Sequence, residues 1–258
     1  FNVLHPFVKE AIGDKALSSI CKEVFNFPIH FKQLAENLTV MELYHGPTES
    51  FKDFGARFLA KILGAMKGRR TVLVATSGDT GGAVAASFKN EDVPVFILFP
   101  KDGVTDYQKS QMVGQGHNVH AIAVNGTFDD CQRIAKQAFA DQELSESLGL
   151  TSTNSINIAR LLPQMVFYHY AYQELGKVRY VVPSGNLGNL TAGIIASEMG
   201  LPNFGFTAAM NSNDTFYQFL EGKEFKEKAS IETISNAMDV GAPSNFERLD
   251  WLLGKDIR

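Results

Sequence analysis

Two kinds of apolar spacing alternate along the chain. Short β-rich runs at Thr71–Ala75, 93–99 and Val119–Val124 predict buried strands, and 180–182 and 204–208 are strand-like. Between them, residues 83–89, about 128–144, 156–175, 190–199 and 214–220 carry helical spacing. In the second of these helices Phe128, Cys131, Ala135, Ala138 and Phe139 share one face, so Cys131 reads as a core thiol rather than a reactive one. In the third, Ile158, Leu161, Leu162, Met165, Val166, His169 and Tyr172 line up, and Pro163 either kinks the helix or marks its start. Strands alternating with helices predict βαβ units, an α/β fold and a mostly parallel sheet. Ligands of such sheets sit outside the carboxyl ends of the strands, so the loops just after strands carry the functional information.

Composition narrows the classes. The 258 residues are 45% hydrophobic and 20% charged, the balance of a soluble globular chain with enough apolar material for a core. Lys+Arg 24 against Asp+Glu 28 leaves −4, with no basic excess to draw the chain to nucleic acid or anionic lipid. The longest apolar run, 93–99, is interrupted by Pro94 and falls far short of the roughly 20 residues a bilayer requires. Cys21 and Cys131 form no C-x-x-C pair, and His5, His30, His45, His117, His120 and His169 lack ligand spacing, so neither a disulfide framework nor a metal is expected. No basic segment leads into an apolar one at the start, which leaves the cytoplasm as the expected compartment.

Three segments carry chemistry. In His45–Arg57 a helix begins, with Phe51, Phe54, Phe58, Leu59, Ile62, Leu63 and Met66 as its apolar stripe and Ser50 and Asp53 in capping-box spacing. Lys52 therefore falls in the first turn, where the helix dipole disfavours an ammonium, and Phe51 and Phe54 add desolvation. A neutral amine there is a nucleophile able to form a Schiff base. Position alone leaves open a solvated lysine with its stem on the phenylalanines. The second segment, Ala75–Gly82, follows a strand and opens a helix. Its three glycines, the hydroxyls of Ser77 and Thr80 and the helix N-terminus suit a carboxylate or phosphate. Asp79 is the odd member, since an acid beside a bound anion needs a cation or a protonated group opposite. The third segment, Val182–Gly193, places Gly185, Asn186, Leu187, Gly188 and Asn189 before a helix, as a nest of N–H donors for phosphate or as a plain turn. Its spacing is not that of a dinucleotide fingerprint, nor is the second segment a P-loop. A fourth cluster, Asn154, Ser155, Asn157 and Arg160 at a helix start, reads as an anion grip or as N-capping beside a surface arginine.

An activatable lysine with two or three anion loops on an α/β sheet suggests pyridoxal 5′-phosphate, which needs an amine for its aldehyde and a cradle for its phosphate. The stretches His45–Arg57, 76–83, 128–131, 154–164, 183–193 and Asn236–Val240 closely resemble the threonine synthases, in the fold type II group of pyridoxal-phosphate enzymes. The resemblance runs from near the start to about Asn245, and it departs at Leu187, where a phenylalanine is expected. It implies two parallel-sheet-rich α/β domains: a large cofactor-anchoring one (1–70 plus 151–258, incomplete at both ends) and a smaller mobile one (71–150). It implies Lys52 as Schiff-base lysine and general acid/base, with Gly185, Asn186, Leu187, Gly188 and Asn189 on the cofactor phosphate. Ser77, Asp79 and Thr80 would face the substrate carboxylate, with Asp79 also near the cofactor ring hydroxyl. Asn154, Ser155 and Arg160 would grip the substrate phosphate. The implied reaction takes O-phospho-L-homoserine and water to L-threonine and phosphate, by a monomer or a homodimer.

The resemblance also implies a neutral partner for the pyridine nitrogen beyond residue 258, since nothing after Asn245 matches. The connections at 67–70 and 177–179 look short for the family, as if loops had been closed up. Three other readings compete. A threonine or serine dehydratase would have no use for a phosphate grip. A Ser-Lys hydrolase built on Ser50 and Lys52 would leave the third segment idle. A degenerate homologue would bind a phosphorylated metabolite or the cofactor without turnover.

Overall fold

The computed structural model describes residues 1–76 and 78–254. The chain forms two compact units, Phe1–Pro163 and Gln164–Arg258.

The first unit opens with α1 (His5–Val24), broken at Gly13, where φ is +75°. An antiparallel hairpin follows, β1 (His30–Ala35) and β2 (Leu38–Glu42), then α2 (Lys52–Ala65). β3 (Thr71–Ala75), α3 (Asp79–Phe88), β4 (Val95–Pro100), α4 (Asp106–Met112), β5 (Val119–Val124), α5 (Phe128–Ala140), α6 (Gln142–Leu148) and β6 (Leu150–Ser152) build a parallel sheet in the order β5-β4-β3-β6. Its central strands β3 and β4 are apolar on both faces because helices cover both, whereas β5, expected to be buried, lies at the sheet edge and is mostly exposed or half-buried. On one face Val72, Val74, Val95, Ile97 and Phe99 pack against Ala56, Leu59 and Leu63 of α2 and Ala83, Val84 and Phe88 of α3. On the other, Leu73, Ala75 and Leu98 meet Cys131 and Ala135 of α5, with Phe128, Ala138 and Phe139 flanking them. The expected stripe and the core role of Cys131 are both found.

α7 (Ile158–Leu161) and a 3-10 turn (Leu162–Gln164) lead to α8 (Met165–Leu175), so Pro163 interrupts the expected long helix. In the second unit β7 (Tyr180–Pro183) pairs in parallel with β8 (Phe206–Ala209), and α9 (Gly188–Glu198) connects them. Tyr168 of α8 packs edge-on to Tyr180 at 5.0 Å, and Tyr180 stacks on Phe206 at 5.3 Å. α10 (Thr215–Leu220) and α11 (Phe246–Leu253) follow, with a 3-10 turn at Asn236–Met238 between them.

Three expectations need correction. α3 starts at Asp79 rather than at residue 83, because Gly78, at φ +145°, turns the chain straight into the helix. The helix from 128 stops at Ala140, where Asp141 caps a new one through its bond to Leu144 N–H. The hairpin β1–β2 was not foreseen. Its strands are mostly exposed and lack clean alternation.

Candidate active site

The mouth of α2 is organised by a buried carboxylate. Asp53 is fully buried and accepts from Thr48 N–H at 2.9 Å and Thr48 Oγ1 at 2.7 Å. The expected capping box is absent: Ser50 Oγ meets only Lys52 N–H, at 3.3 Å, and Asp53 reaches back to Thr48 instead. Burial pushes the Asp53 carboxyl up, opposed by the two Thr48 bonds and the charges of Arg57 and Arg160. Folding the 48–53 turn onto the helix start in this way fixes where the Lys52 stem leaves the backbone.

Lys52 lies at the first position of α2, as expected, with its ammonium 5.0 Å from the Phe51 ring centroid. Its Nζ donates to Asp79 Oδ2 at 3.0 Å, and the two side chains are 17% and 28% exposed. The cation that Asp79 called for is thus Lys52. The sequence reading weighed the dipole and the phenylalanines but not this carboxylate, 27 residues away. Burial would raise the Asp79 carboxyl, but the Lys52 ammonium and the Gln108 amide outweigh it and hold it below the usual carboxylate range. Gln108 Nε2 donates to Asp79 Oδ1 at 2.8 Å. Sequence reasoning missed Gln108, whose only sequence signal is a Thr105-x-x-Gln108 capping box.

The loop before α3 is held by Thr76 Oγ1, which accepts from Gly78 N–H at 3.0 Å and Gly81 N–H at 2.9 Å. Thr80, in the first turn of α3, is half-buried. Ser77, assigned to the same anion site, lies outside the described residues. In the fourth cluster Asn157 caps α7 through Ala159 N–H at 2.9 Å. Asn154 and Ser155 are half-buried, and Asn154 Oδ1 is a buried polar atom with no protein partner among the described residues. Arg160 is no surface arginine. It is 2% exposed, and its Nη1 donates to the Thr153 carbonyl at 2.6 Å. Burial brings its guanidinium down to about 10 against the support of Asp53.

In the second unit, residues 184–187 lie between β7 and α9. Leu187 adopts φ +60°, a left-handed conformation that costs a branched residue roughly 1–2 kcal/mol, and its side chain is fully buried. Only a residue without Cβ fits at 185, where that atom would stand 2.8 Å from Met238 Cα. The asparagine side chains build the loop. Asn189 Oδ1 accepts from Ser184 Oγ at 2.9 Å and its Nδ2 donates to the Pro183 carbonyl at 2.7 Å. Asn186 Oδ1 accepts from Ser244 N–H and Oγ, both at 3.2 Å, and Asn245 Nδ2 donates to the Asn186 carbonyl at 3.0 Å. Behind them Asp239 gathers Thr233, Asn211 and Asn213. Gly188 and Asn189 open α9, where N–H groups have no acceptor inside the helix. Such a helix start is a favourable place for an anion. Sequence reasoning missed Ser244 and Asn245, which brace the loop from nearly 60 residues away.

A lysine in the first turn of a helix, paired with a carboxylate, and a phosphate-sized backbone cradle at another helix mouth are what pyridoxal phosphate requires of its protein. Residues 23–256 match the family model described as pyridoxal-phosphate dependent enzyme, and the chain belongs to that family. Within it, the chain is 43% identical to the threonine synthase of Haemophilus influenzae over 98% of its own length and 62% of that relative's. It superposes on the crystal structure of threonine synthase from Escherichia coli with a TM-score of 0.92 at 42% identity, covering 99% of this chain and 62% of that one. With the pyridoxal-phosphate-bound threonine synthase from Brucella melitensis the TM-score is 0.90 at 38% identity, with 99% and 59% covered. The expected fold type II α/β architecture holds. The chain spans about three fifths of the length of the curated relatives it matches.

Proposed function

We propose that the protein is a threonine synthase, converting O-phospho-L-homoserine and water to L-threonine and phosphate. The ion pair between Lys52 and Asp79 carries this reading, because it supplies a half-buried amine at a helix mouth, held in place by an ionised carboxylate. Pyridoxal phosphate, when bound, supplies the electron sink for charge developing beside the substrate nitrogen. Lys52 would hold its aldehyde carbon. The backbone of Gly185, Asn186, Leu187, Gly188 and Asn189 would hold its phosphate, and Asp79 would face its ring hydroxyl.

During turnover the freed Lys52 Nζ would take the proton from the substrate α-carbon, then one from the β-carbon, and would return protons after water has added at the β-carbon. One amine in all these roles works best near its own pKa. Ser77, Asp79 and Thr80 are assigned to the substrate carboxylate, and Asn154, Ser155 and Arg160 to the phosphate that leaves. Residues 71–150 would close over the site and exclude water. The only proposed partner is this small substrate, acted on in the cytoplasm. The free thiols Cys21 and Cys131 suit a reducing compartment, and no helix among the described residues is long and apolar enough to cross a membrane.

The test is product analysis of the full-length protein with pyridoxal phosphate. Phosphate and threonine released from O-phospho-L-homoserine, with no ammonia released from threonine, is the expected result. Ammonia release without phosphate release would make it a dehydratase.

A further inference from the structure

We propose that Gln108 is a positioning residue, whose side-chain amide locks the Asp79 carboxylate so that one oxygen stays turned to the Lys52 amine. The proposal rests on the reading of Lys52 as the proton-moving amine, and it assigns a job to a residue of α4 outside the three loops that follow strands.

The geometry leaves the amide one useful orientation. Its Oε1 accepts from Thr105 N–H at 3.1 Å, and Thr105 Oγ1 accepts from Gln108 N–H at 3.2 Å. With its oxygen committed to this capping box, the amide can present only its NH₂ to Asp79. An ionised carboxylate can only accept, so donor and acceptor match. The two carboxylate oxygens are divided, Oδ1 to Gln108 at 2.8 Å and Oδ2 to Lys52 at 3.0 Å. Rotation of the carboxylate away from Lys52 would break the Gln108 bond.

Gln108 is 7% exposed and has little freedom to follow such a rotation. A Cβ at Gly78 would run into its amide group, so the amide also sits against the turn that delivers Asp79. Among the described residues, the side chains facing Asp79 are the Lys52 ammonium from α2 and the neutral Gln108 amide from α4. Removing the amide donor takes one of two supports from the ionised form. Replacing it with a carboxyl sets two acids at hydrogen-bond distance, where they share a proton.

The test follows the Asp79 carboxyl signal by carbon-13 NMR in the aspartate-labelled full-length protein, with D79N identifying the signal and thermal unfolding run on the same samples. Gln108→Met is expected to move the Asp79 midpoint up by about one pH unit, and Gln108→Glu by more. If Gln108→Met does not fold, Gln108→Glu, which keeps the shape, gives the answer. Wild-type midpoints in the folded variants would overturn the proposal, whatever their melting temperatures, because a merely structural glutamine would change stability alone. Borohydride reduction of the wild-type sample loaded with pyridoxal phosphate separates the two readings. Label absent from Lys52 would defeat the assignment of the lysine, while unshifted midpoints with Lys52 labelled would defeat only the role of Gln108.

Discussion

The mouths of α2 and α9 handle the same physical problem, a helix start that carries partial positive charge, in opposite ways. At α2 a cation occupies the unfavourable end, and a carboxylate brought in by α3 offsets it, itself held by an amide from α4. At α9 no charged side chain of the 185–189 loop is involved. The loop presents bare backbone N–H groups, while Asn186 and Asn189 turn their side chains to bracing it. The first arrangement sets an ammonium against an ionised carboxylate. The second offers backbone amides, whose charge does not change with pH.

Substitutions at the two mouths should therefore fail differently. Lys52→Ala is expected to lower phosphate release at least about a thousandfold, since a nucleophile and proton carrier is lost. It should also lower the thermal stability of the cofactor-free protein, because Asp79 loses the cation that offsets its burial. Gly185→Val forces a side chain onto Met238 and is expected to weaken pyridoxal phosphate binding about ten- to a hundredfold, seen by fluorescence titration, with Lys52 still reactive. Equal damage to lysine reactivity would blur the distinction.

A third difference is in pH. The Asp79 pKa is depressed on folding, so its contribution to stability is complete above the ordinary carboxylate value, about 3.9, and is lost as pH falls through the lower folded value. Asp53 is raised, so its ionisation opposes folding as pH climbs from the ordinary value through the folded one. Denaturant midpoints measured from about pH 7 down to about pH 2 should show D79N flattening the acid limb and D53N removing the opposing one. Smallest of all, Ser244→Ala removes two long bonds to Asn186 and is expected to cost about 0.5–1.5 kcal/mol in urea unfolding.

How much the sequence disclosed follows the same division. The loop before α9 was legible because its parts are neighbours: glycines, asparagines and a helix start within a dozen residues. The parallel sheet was legible from continuous apolar strands, and the core role of Cys131 from helical spacing. What escaped depends on contacts distant in sequence. Asp79 stood out as an anomaly, but its partner Lys52 lies 27 residues back, and Gln108 lies 29 residues on. Ser50 and Asp53 matched a local motif, yet the buried carboxylate turned to Thr48, which offers two donors where Ser50 would offer one. Arg160 read either as an anion grip or as a surface arginine, and its burial beside the Thr153 carbonyl was not legible from residue types alone.

The claim on which the rest stands is that Lys52 is the amine that takes the cofactor aldehyde. Full-length protein mixed with pyridoxal phosphate, reduced with borohydride, digested and weighed peptide by peptide tests it directly. The added pyridoxyl mass is expected on the peptide carrying Lys52, and only there. Its appearance on another lysine, or on none, would contradict the account.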